Sequence, residues 1–233
     1  MQISKPQREW PTGYRINPRV ELVAPRLVEA FRSLPVAAIG DAMSRNVGAI
    51  GLKRYHARLD TVLCGPALTV RVRPGDNLMI HKALAMASPG DVLVIDGGGD
   101  VTQALMGGLM RTTCLTRQLG GLVIDGAVRD LVEWAEEGMP IFAKGHTHRG
   151  PSKDGPGEIN VPVACAGLAV QPGDLIVGDA DGVIAVPSAD VERVLGLTRT
   201  HLEKEEKIRE GNRSGTTDPE RFDAVLRAKG LPV

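Results

Sequence analysis

Between residues 92 and 145 the chain alternates short, continuous apolar runs with segments of helical periodicity. The apolar runs are VLVID (92–96), GLVID (121–125) and PIFAKG (140–145), and helical spacing over 104–119 and 130–138 separates them. A strand that is buried on both faces has a continuous apolar sequence, and strands that alternate with helices form a parallel sheet covered by those helices. The pattern therefore predicts an α/β fold with a parallel central sheet.

The flanking segments extend this prediction. Helical spacing is found over 25–35, 36–45 and 77–87, and strand patterns over 61–72 and 163–187. The tripeptide Pro-Gly-Asp recurs at 74–76, 89–91 and 172–174, and we interpret it as a turn rather than as a domain repeat.

A long final helix is predicted over 189–212, where the sequence changes midway from apolar to almost wholly charged. Its second half has no apolar face, so it is either solvated or reaches another subunit. We therefore divide the chain into an N-terminal arm (1–19), one main domain (20–190) and a C-terminal helix and tail (191–233) that contacts a neighbouring subunit.

Composition excludes several classes of protein. The chain has 28 basic and 28 acidic side chains and only 3% aromatic residues, which argues against a nucleic-acid partner. No apolar stretch of about 18 residues occurs, so no membrane span is expected. Cys64, Cys114 and Cys165 are odd in number and form no CxxC pair, which indicates a reducing, cytoplasmic location without disulfides or structural zinc.

The segment DGAVRD (125–130) places charged side chains after a predicted strand. Ligands of open α/β sheets bind beyond the carboxyl ends of the strands, and DGGGD (96–100) follows the neighbouring strand in the same way. Asp130 offers a hard oxygen ligand for Mg²⁺ or Mn²⁺. Arg129 offers a planar donor for a substrate carboxylate or a developing oxyanion.

Each of these features also has a purely structural interpretation. Asp130 and Glu133 have the spacing of a capping box at a helix start. Gly107 and Gly108 could start a helix whose N–H groups face an anion, or could allow close packing of helix on sheet. His146 and His148 suggest a polar loop more than a metal site, because spacing identifies no third ligand.

The run from Gly107-Gly108 through 121–130, GLVIDGAVRD, resembles the family of the regulator of ribonuclease activity A. That family also contains the metal-dependent 4-hydroxy-4-methyl-2-oxoglutarate aldolases. The resemblance covers about 35–190, including the three segments that begin with Pro-Gly-Asp. It implies a swivelling β/β/α domain and ring-shaped trimers, sometimes paired as hexamers, with sites between subunits.

The resemblance also implies roles for individual residues. Asp130 would bind the metal, Mg²⁺ or Mn²⁺, and Arg129 would contact the pyruvyl group. Backbone amides of Gly107, Gly108 and Leu109 would hold substrate oxygens. A glutamate of the adjacent subunit would approach the metal-bound water, and the charged helix offers Glu203, Glu205 and Glu206.

One position departs from the aldolases of this family, which carry an acidic residue where this chain has Gly108. We expect a class II pyruvate lyase that acts on a small 2-oxo acid, as an aldolase of 4-hydroxy-2-oxo acids, an oxaloacetate decarboxylase, or both. Two alternatives remain open: a non-catalytic protein that binds and regulates a ribonuclease, and a related metal-dependent lyase acting on another hydroxy acid.

Overall fold

The computed structural model describes residues 10–136, 138–216, 218 and 220–233, so the first nine residues of the predicted arm lie outside it. The strands are β1 (Tyr14–Ile16), β2 (Lys53–Arg54), β3 (Leu63–Val72), β4 (Val92–Asp96), β5 (Ala104–Met106), β6 (Gly121–Val128), β7 (Ile141–His146), β8 (Gly157–Ile159), β9 (Val163–Cys165), β10 (Leu168–Val170), β11 (Leu175–Asp179) and β12 (Gly182–Val186). The helices are α1 (Pro25–Arg32), α2 (Val36–Ala42), α3 (Leu78–Met86), α4 (Gly108–Thr116), α5 (Leu131–Ala135), α6 (Val191–Ser214) and α7 (Asp223–Ala228).

A parallel array, β3-β4-β6-β7, forms the centre of the main sheet, as the alternating pattern predicts. Antiparallel strands extend it at both sides, with β8 beside β3 and β2 beside β7, so the complete sheet is mixed. One face of the central strands packs on α3 and α4 through an apolar cluster that includes Ile95, Ile124 and Trp134. The structure is therefore an α/β fold with a parallel core.

The segment 104–119 is a helix only in its second part. Ala104–Met106 forms the short strand β5, which pairs with β6, and α4 begins only at Gly108. Strand β6 in turn runs to Val128, three residues beyond the predicted end of the strand. The prediction was wrong here because β5 is too short to show a strand pattern and its apolar residues also fit helical spacing.

The opposite face of the sheet is covered by the closely spaced strands predicted over 163–187. Strands β9 and β10 form a hairpin, and β11 pairs with both β12 and β3. A second apolar cluster, which includes Val94, Val123 and Ile176, fills this side. The central sheet is thus buried on both faces, which explains why its strands are continuously apolar.

The Pro-Gly-Asp turns share one construction. Each glycine (Gly75, Gly90, Gly173) has a positive φ, which an L side chain adopts only with strain. Each aspartate (Asp76, Asp91, Asp174) is buried and accepts a backbone N–H two or three residues away. The interpretation of the repeat as turn chemistry is confirmed.

The long C-terminal helix is confirmed and begins two residues later than predicted. Val191, Val194, Leu195 and Thr198 are its buried positions, and they pack with α1 and α2 in a third cluster. Beyond Thr198 no side chain of α6 is fully buried. None of the described helices combines the length and apolar character needed to cross a bilayer.

The three cysteines are free and buried. Burial raises the pKa of Cys64 to about 11 and that of Cys114 to about 12, and it also raises the pKa of Cys165. The thiolate is the reactive form of cysteine, so these side chains act as apolar filling rather than as nucleophiles or metal ligands.

Within the predicted arm, β1 pairs in parallel with β8 at the end of the main sheet. Arg19 then donates two hydrogen bonds to the buried Asp91 carboxylate, at 2.6 and 2.7 Å. Asp91 belongs to the turn that leads into β4, so this ion pair fastens the N-terminal segment to the central sheet.

We expect Arg19→Ala to lower the free energy of unfolding by about 1–3 kcal/mol, because a buried carboxylate would lose its cationic partner. Arg15→Ala is the matched control, since Arg15 lies in the same segment with an exposed side chain. Chemical denaturation of both variants tests this. Equal stabilities for the two variants would contradict the proposed role of the ion pair.

Candidate active site

A small cleft opens between the end of β6 and the start of α4. Its volume is about 110 Å³, well below the roughly 300–1,000 Å³ of pockets that hold drug-sized ligands. Arg129 and Asp130 form one wall, and Gly107 and Leu109 form another. The cleft therefore suits a small molecule, and it contains four of the residues that the sequence analysis selected.

Arg129 and Asp130 are held by backbone contacts immediately after β6. The Arg129 N–H donates to the Met106 carbonyl at 3.0 Å, and the buried Trp134 indole donates to the Arg129 carbonyl at 2.8 Å. Asp130 has a left-handed backbone, with φ of +63°. Asp tolerates this conformation better than most residues do, and strained backbone of this kind is often found at functional sites.

The Asp130 carboxylate caps a different helix from the one that the sequence suggests. Its Oδ2 accepts the N–H of Gly108 at 2.8 Å, at the start of α4. It forms no side-chain cap on α5, the helix that Asp130 itself precedes. The capping-box interpretation is therefore wrong, because the left-handed backbone of Asp130 directs its side chain across to α4.

Gly107 is required for this close approach. A Cβ on residue 107 would overlap Asp130 Oδ2 and would lie 2.9 Å from Arg129 Cγ. Such distances are shorter than van der Waals contact, so any side chain at residue 107 would displace both functional groups. The interpretation of this glycine as close packing of helix on sheet is therefore wrong, because the groups that approach residue 107 are the side chains of Arg129 and Asp130.

Gly108 leaves room for a different carboxylate. The Glu133 carboxylate occupies the space where a side chain on residue 108 would begin. Glu133 is exposed, and its carboxylate accepts no hydrogen bond from any described residue. An acidic group thus lies over the start of α4 although residue 108 is glycine. From the sequence, Glu133 is predicted only as a partner in a capping box.

The charges in the cleft are close but only loosely paired. Arg129 Nε lies 3.6 Å from Asp130 Oδ2, and both side chains are 41% exposed. The terminal nitrogens of Arg129 form no hydrogen bond with the described residues, so the guanidinium can bind an incoming anion. Asp130 Oδ1 is likewise without a hydrogen-bond donor among the described residues and can serve as a ligand.

Three further polar residues line the cleft and were missed in the sequence: Asn77, His81 and Lys153. Asn77 is buried and donates to the Leu105 carbonyl at 2.9 Å, which leaves its Oδ1 without a donor among the described residues. A spacing of four residues puts Asn77 and His81 on the same side of α3, and that spacing was the available signal.

Partial desolvation lowers the pKa of His81, and the positive charge of Lys153 lowers it further. Both effects favour the neutral form of the imidazole. Although His81 lies at the solvent-exposed mouth of the cleft, its titration reports the electrostatics of this site.

Asp96 and Asp125 are not brought into the cleft. Asp125 lies inside β6 and accepts the Ala166 N–H at 2.9 Å, and Asp96 accepts the Ala164 N–H at 3.4 Å. Both contacts attach the β9-β10 hairpin to the opposite face of the sheet. The expectation that DGGGD and DGAVRD together frame one site was wrong, because β6 continues for three residues past Asp125 and its side chains alternate between faces.

The remaining candidates also lie apart from the cleft lining. His146 Nδ1 is 3.1 Å from the Tyr55 hydroxyl, and His148 is exposed beyond the end of β7. On α6, Glu205 contacts His201, and Glu206 pairs with Arg209 and Arg213 of the same helix. Glu203 is exposed and pairs with no described residue.

These groups are chemically suited to a hard divalent cation. Mg²⁺ and Mn²⁺ need one or two carboxylate oxygens and retain several waters. Asp130 supplies a carboxylate whose Oδ2 is anchored by the Gly108 N–H and whose Oδ1 has no donor among the described residues. The Oδ1 of Asn77 is a buried oxygen that also lacks a donor among those residues. The cationic Arg129 beside them can balance the charge of an acidic substrate.

Comparison with known proteins identifies similar sequences and structures. Residues 36–185 match the family model described as "RraA-like: Aldolase/RraA". A protein of Halalkalibacterium halodurans named "Putative 4-hydroxy-4-methyl-2-oxoglutarate aldolase" is 43% identical over 168 residues, which cover 72% of this chain and 80% of that protein. A 4-hydroxy-4-methyl-2-oxoglutarate aldolase of Thermus thermophilus is 36% identical over 123 residues, 53% of this chain and 74% of its own length.

Among solved structures, Streptomyces coelicolor RraAS2 is similar, with a TM-score of 0.75 and 27% identity. The match covers 82% of this chain and 98% of that one. That protein is described as an unusual member of the RNase ES inhibitor RraA protein family.

The electrostatic coupling in the cleft is testable without a ligand. Replacing Lys153 with Met removes a positive charge near His81, so the pKa of His81 should rise toward its ordinary value. Titration of the imidazole signals by NMR measures this change. Lys82→Met is the control, since Lys82 is the exposed neighbour of His81 and does not line the cleft; an equal shift in the control would contradict the assignment to Lys153.

Proposed function

The chain belongs to the RraA-like, Aldolase/RraA family, and we propose that it is a divalent-metal-dependent carbon–carbon lyase that releases pyruvate from a small 2-oxo acid. The relatives named as 4-hydroxy-4-methyl-2-oxoglutarate aldolases support lyase activity. The substrates that fit the proposal are 4-hydroxy-2-oxo dicarboxylic acids and oxaloacetate.

One observation carries this proposal. The Asp130 carboxylate, anchored on the Gly108 N–H, and the Arg129 guanidinium, whose terminal nitrogens have no acceptor among the described residues, face the same small cleft. Arg129 Nε lies 3.6 Å from Asp130 Oδ2. A 2-oxo acid presents a carboxylate and a keto oxygen on adjacent carbons. The cleft therefore provides a positive group for the substrate carboxylate and a negative group for a cation that the substrate chelates.

Asp130 would hold the cation, Mg²⁺ or Mn²⁺, and Asn77 Oδ1 is a buried oxygen in the lining that still lacks a donor among the described residues. When bound, such an ion polarises the keto and carboxylate oxygens of the substrate as a Lewis acid. Anchoring by the Gly108 N–H fixes the direction of the Asp130 carboxylate before any ligand arrives.

Aldol cleavage then needs a base and a group that stabilises an enolate. Glu133 takes the proton of the substrate's 4-hydroxyl, and the O–H electron pair forms the new carbonyl as the C3–C4 bond breaks. The electrons of that bond move to the keto oxygen, where Arg129 stabilises the pyruvate enolate. Protonation at C3 by the conjugate acid of Glu133 completes pyruvate and restores the base.

Oxaloacetate would produce the same enolate by a shorter route. Loss of CO₂ breaks its C3–C4 bond without removal of a hydroxyl proton. Arg129 is therefore needed for both reactions, whereas Glu133 as a base is needed only for aldol cleavage. This difference separates the two roles experimentally.

The assembly completes the proposal. We propose a trimer or hexamer in which the charged half of α6 reaches the cleft of an adjacent subunit. Of the three candidate glutamates, Glu203 is exposed and unpaired among the described residues, whereas Glu205 and Glu206 already have partners within the chain. Glu203 is therefore our preferred contribution from the neighbour.

The regulatory alternative rests on the likeness to RraAS2, which is described as a member of a family of ribonuclease inhibitors. A regulator would use the family fold as a docking surface and would not need the cleft. Specific capture of an endoribonuclease by a chain that carries Arg129→Ala would favour this function over the lyase.

We expect the purified protein to release pyruvate from 4-hydroxy-4-methyl-2-oxoglutarate and from oxaloacetate when Mg²⁺ or Mn²⁺ is added, and to stop when EDTA is added. Arg129→Ala should lower kcat/KM for both substrates by roughly 10²–10³-fold, the usual cost of losing an oxyanion stabiliser. Coupled lactate dehydrogenase detects the pyruvate. Arg149→Ala is the control, since Arg149 is exposed and does not line the cleft.

Asp130→Asn should abolish the dependence on added metal together with turnover. Metal-dependent release that persists in both Arg129→Ala and Asp130→Asn would contradict the proposed function.

We expect Glu133→Gln to lower kcat for aldol cleavage by roughly 10²–10⁴-fold, because the amide cannot accept the hydroxyl proton. Oxaloacetate decarboxylation by the same variant should change far less. Glu136→Gln is the matched control on the same segment, since Glu136 pairs with Arg111. An equal loss of both activities would assign Glu133 a structural role instead.

A further inference from the structure

The buried stripe of α6 continues into two polar side chains. Its buried positions follow the three- and four-residue spacing of one helix face and end at Thr198. The next positions on that face are His201, Leu202 and Glu205, all partly buried, and two of these three side chains are polar. A helix face that packs on the body of a protein is normally apolar, so polar groups there need a specific partner.

Asp41, on α2, meets these two side chains. His201 Nε2 lies 3.1 Å from Asp41 Oδ2 and 3.2 Å from Glu205 Oε1. The side chain of His201 is 25% exposed, that of Asp41 is 33% exposed and that of Glu205 is 40% exposed. One imidazole nitrogen and two carboxylate oxygens therefore converge on one point between α2 and α6.

The geometry does not correspond to hydrogen bonding. His201 Nε2 is enclosed, yet neither nearby oxygen is placed to form a hydrogen bond with it. A cation bound between the three atoms would give the enclosed nitrogen a partner and would be neutralised by the two carboxylates.

The spacing of the three atoms fits a small transition metal ion. Zn²⁺ binds His nitrogen at about 2.0–2.1 Å and carboxylate oxygen at about 2.0–2.2 Å, so tetrahedral ligand atoms lie roughly 3.3–3.5 Å apart. The observed 3.1 and 3.2 Å are close to that range. A mixed nitrogen and oxygen set favours Zn²⁺ over Mg²⁺ or Ca²⁺, which prefer oxygen ligands alone.

Arg45 orients the Asp41 carboxylate. Its Nε donates to Oδ1 at 3.0 Å and its terminal nitrogen donates to Oδ2 at 3.4 Å, so the stronger contact is to the oxygen that faces away from His201. Carboxylate ligands of metal ions commonly receive such supporting hydrogen bonds. Oδ2 is thereby directed at the imidazole.

We propose that Asp41, His201 and Glu205 form a structural binding site for a divalent transition metal ion of the Zn²⁺ type, separate from the cleft. The ion joins α2 to α6 one turn beyond the last buried residue of α6, Thr198. It thus fixes the direction of the charged second half of that helix. The site requires no contribution from the residues that line the cleft.

Isothermal titration calorimetry with ZnCl₂ tests the site. The EDTA-treated Asp130→Asn variant is used, because it lacks the proposed cation ligand of the cleft. One ion should bind per chain, and the melting temperature should rise with ZnCl₂ concentration. The ¹⁵N resonance of His201 Nε2 should shift on binding. Adding Asp41→Asn, His201→Ala or Glu205→Gln should weaken binding by at least roughly 10–100-fold.

Glu210→Gln is the matched control, because Glu210 lies on the same helix with an exposed side chain outside the cluster. Its affinity for Zn²⁺ should equal that of the parent. Asp41→Asn and Glu205→Gln nearly preserve side-chain volume, and circular dichroism spectra matching that of the parent would show that both variants fold. Absence of Zn²⁺ binding, or binding that survives both of these substitutions, would overturn the proposal and leave an ion-pair cluster.

Discussion

The hydrogen bond from the Gly108 N–H to the Asp130 carboxylate joins two segments that are 22 residues apart. It links the start of α4 to the end of β6, so the direction of the helix and the position of the acidic side chain depend on each other. The contact is possible only because Gly107 has no Cβ. A helix start is electropositive, and a carboxylate placed there is stabilised before any metal or substrate binds.

Around this contact the protein distributes its charges unevenly. The central strands are buried on both faces, so most of their side chains are apolar. The aspartates of the Pro-Gly-Asp turns accept hydrogen bonds from nearby backbone N–H groups. Asp96 and Asp125 accept hydrogen bonds from backbone N–H groups of the β9-β10 hairpin. Asp130 differs in lining the cleft, and Glu133 differs in lying over the start of α4 at Gly108.

The C-terminal helix shows how one element serves two environments. Its first half is buried by ordinary apolar spacing, and its second half has no fully buried side chain. Between them, His201 and Glu205 face Asp41 at positions where apolar residues would be expected. A polar cluster at the last attachment of a helix can control where the free half points.

The sequence by itself determined the parallel sheet and the long final helix, and it selected Arg129 and Asp130 as candidate site residues. Continuous apolar runs and helical spacing are local signals, and a strand end followed by charged residues indicates a site. Only the tertiary structure decided that Asp130 caps α4, that Glu133 lies over Gly108, and that Asp125 serves the opposite face. Those outcomes depend on a left-handed backbone at Asp130 and on the length of β6, which packing determines and no local pattern encodes.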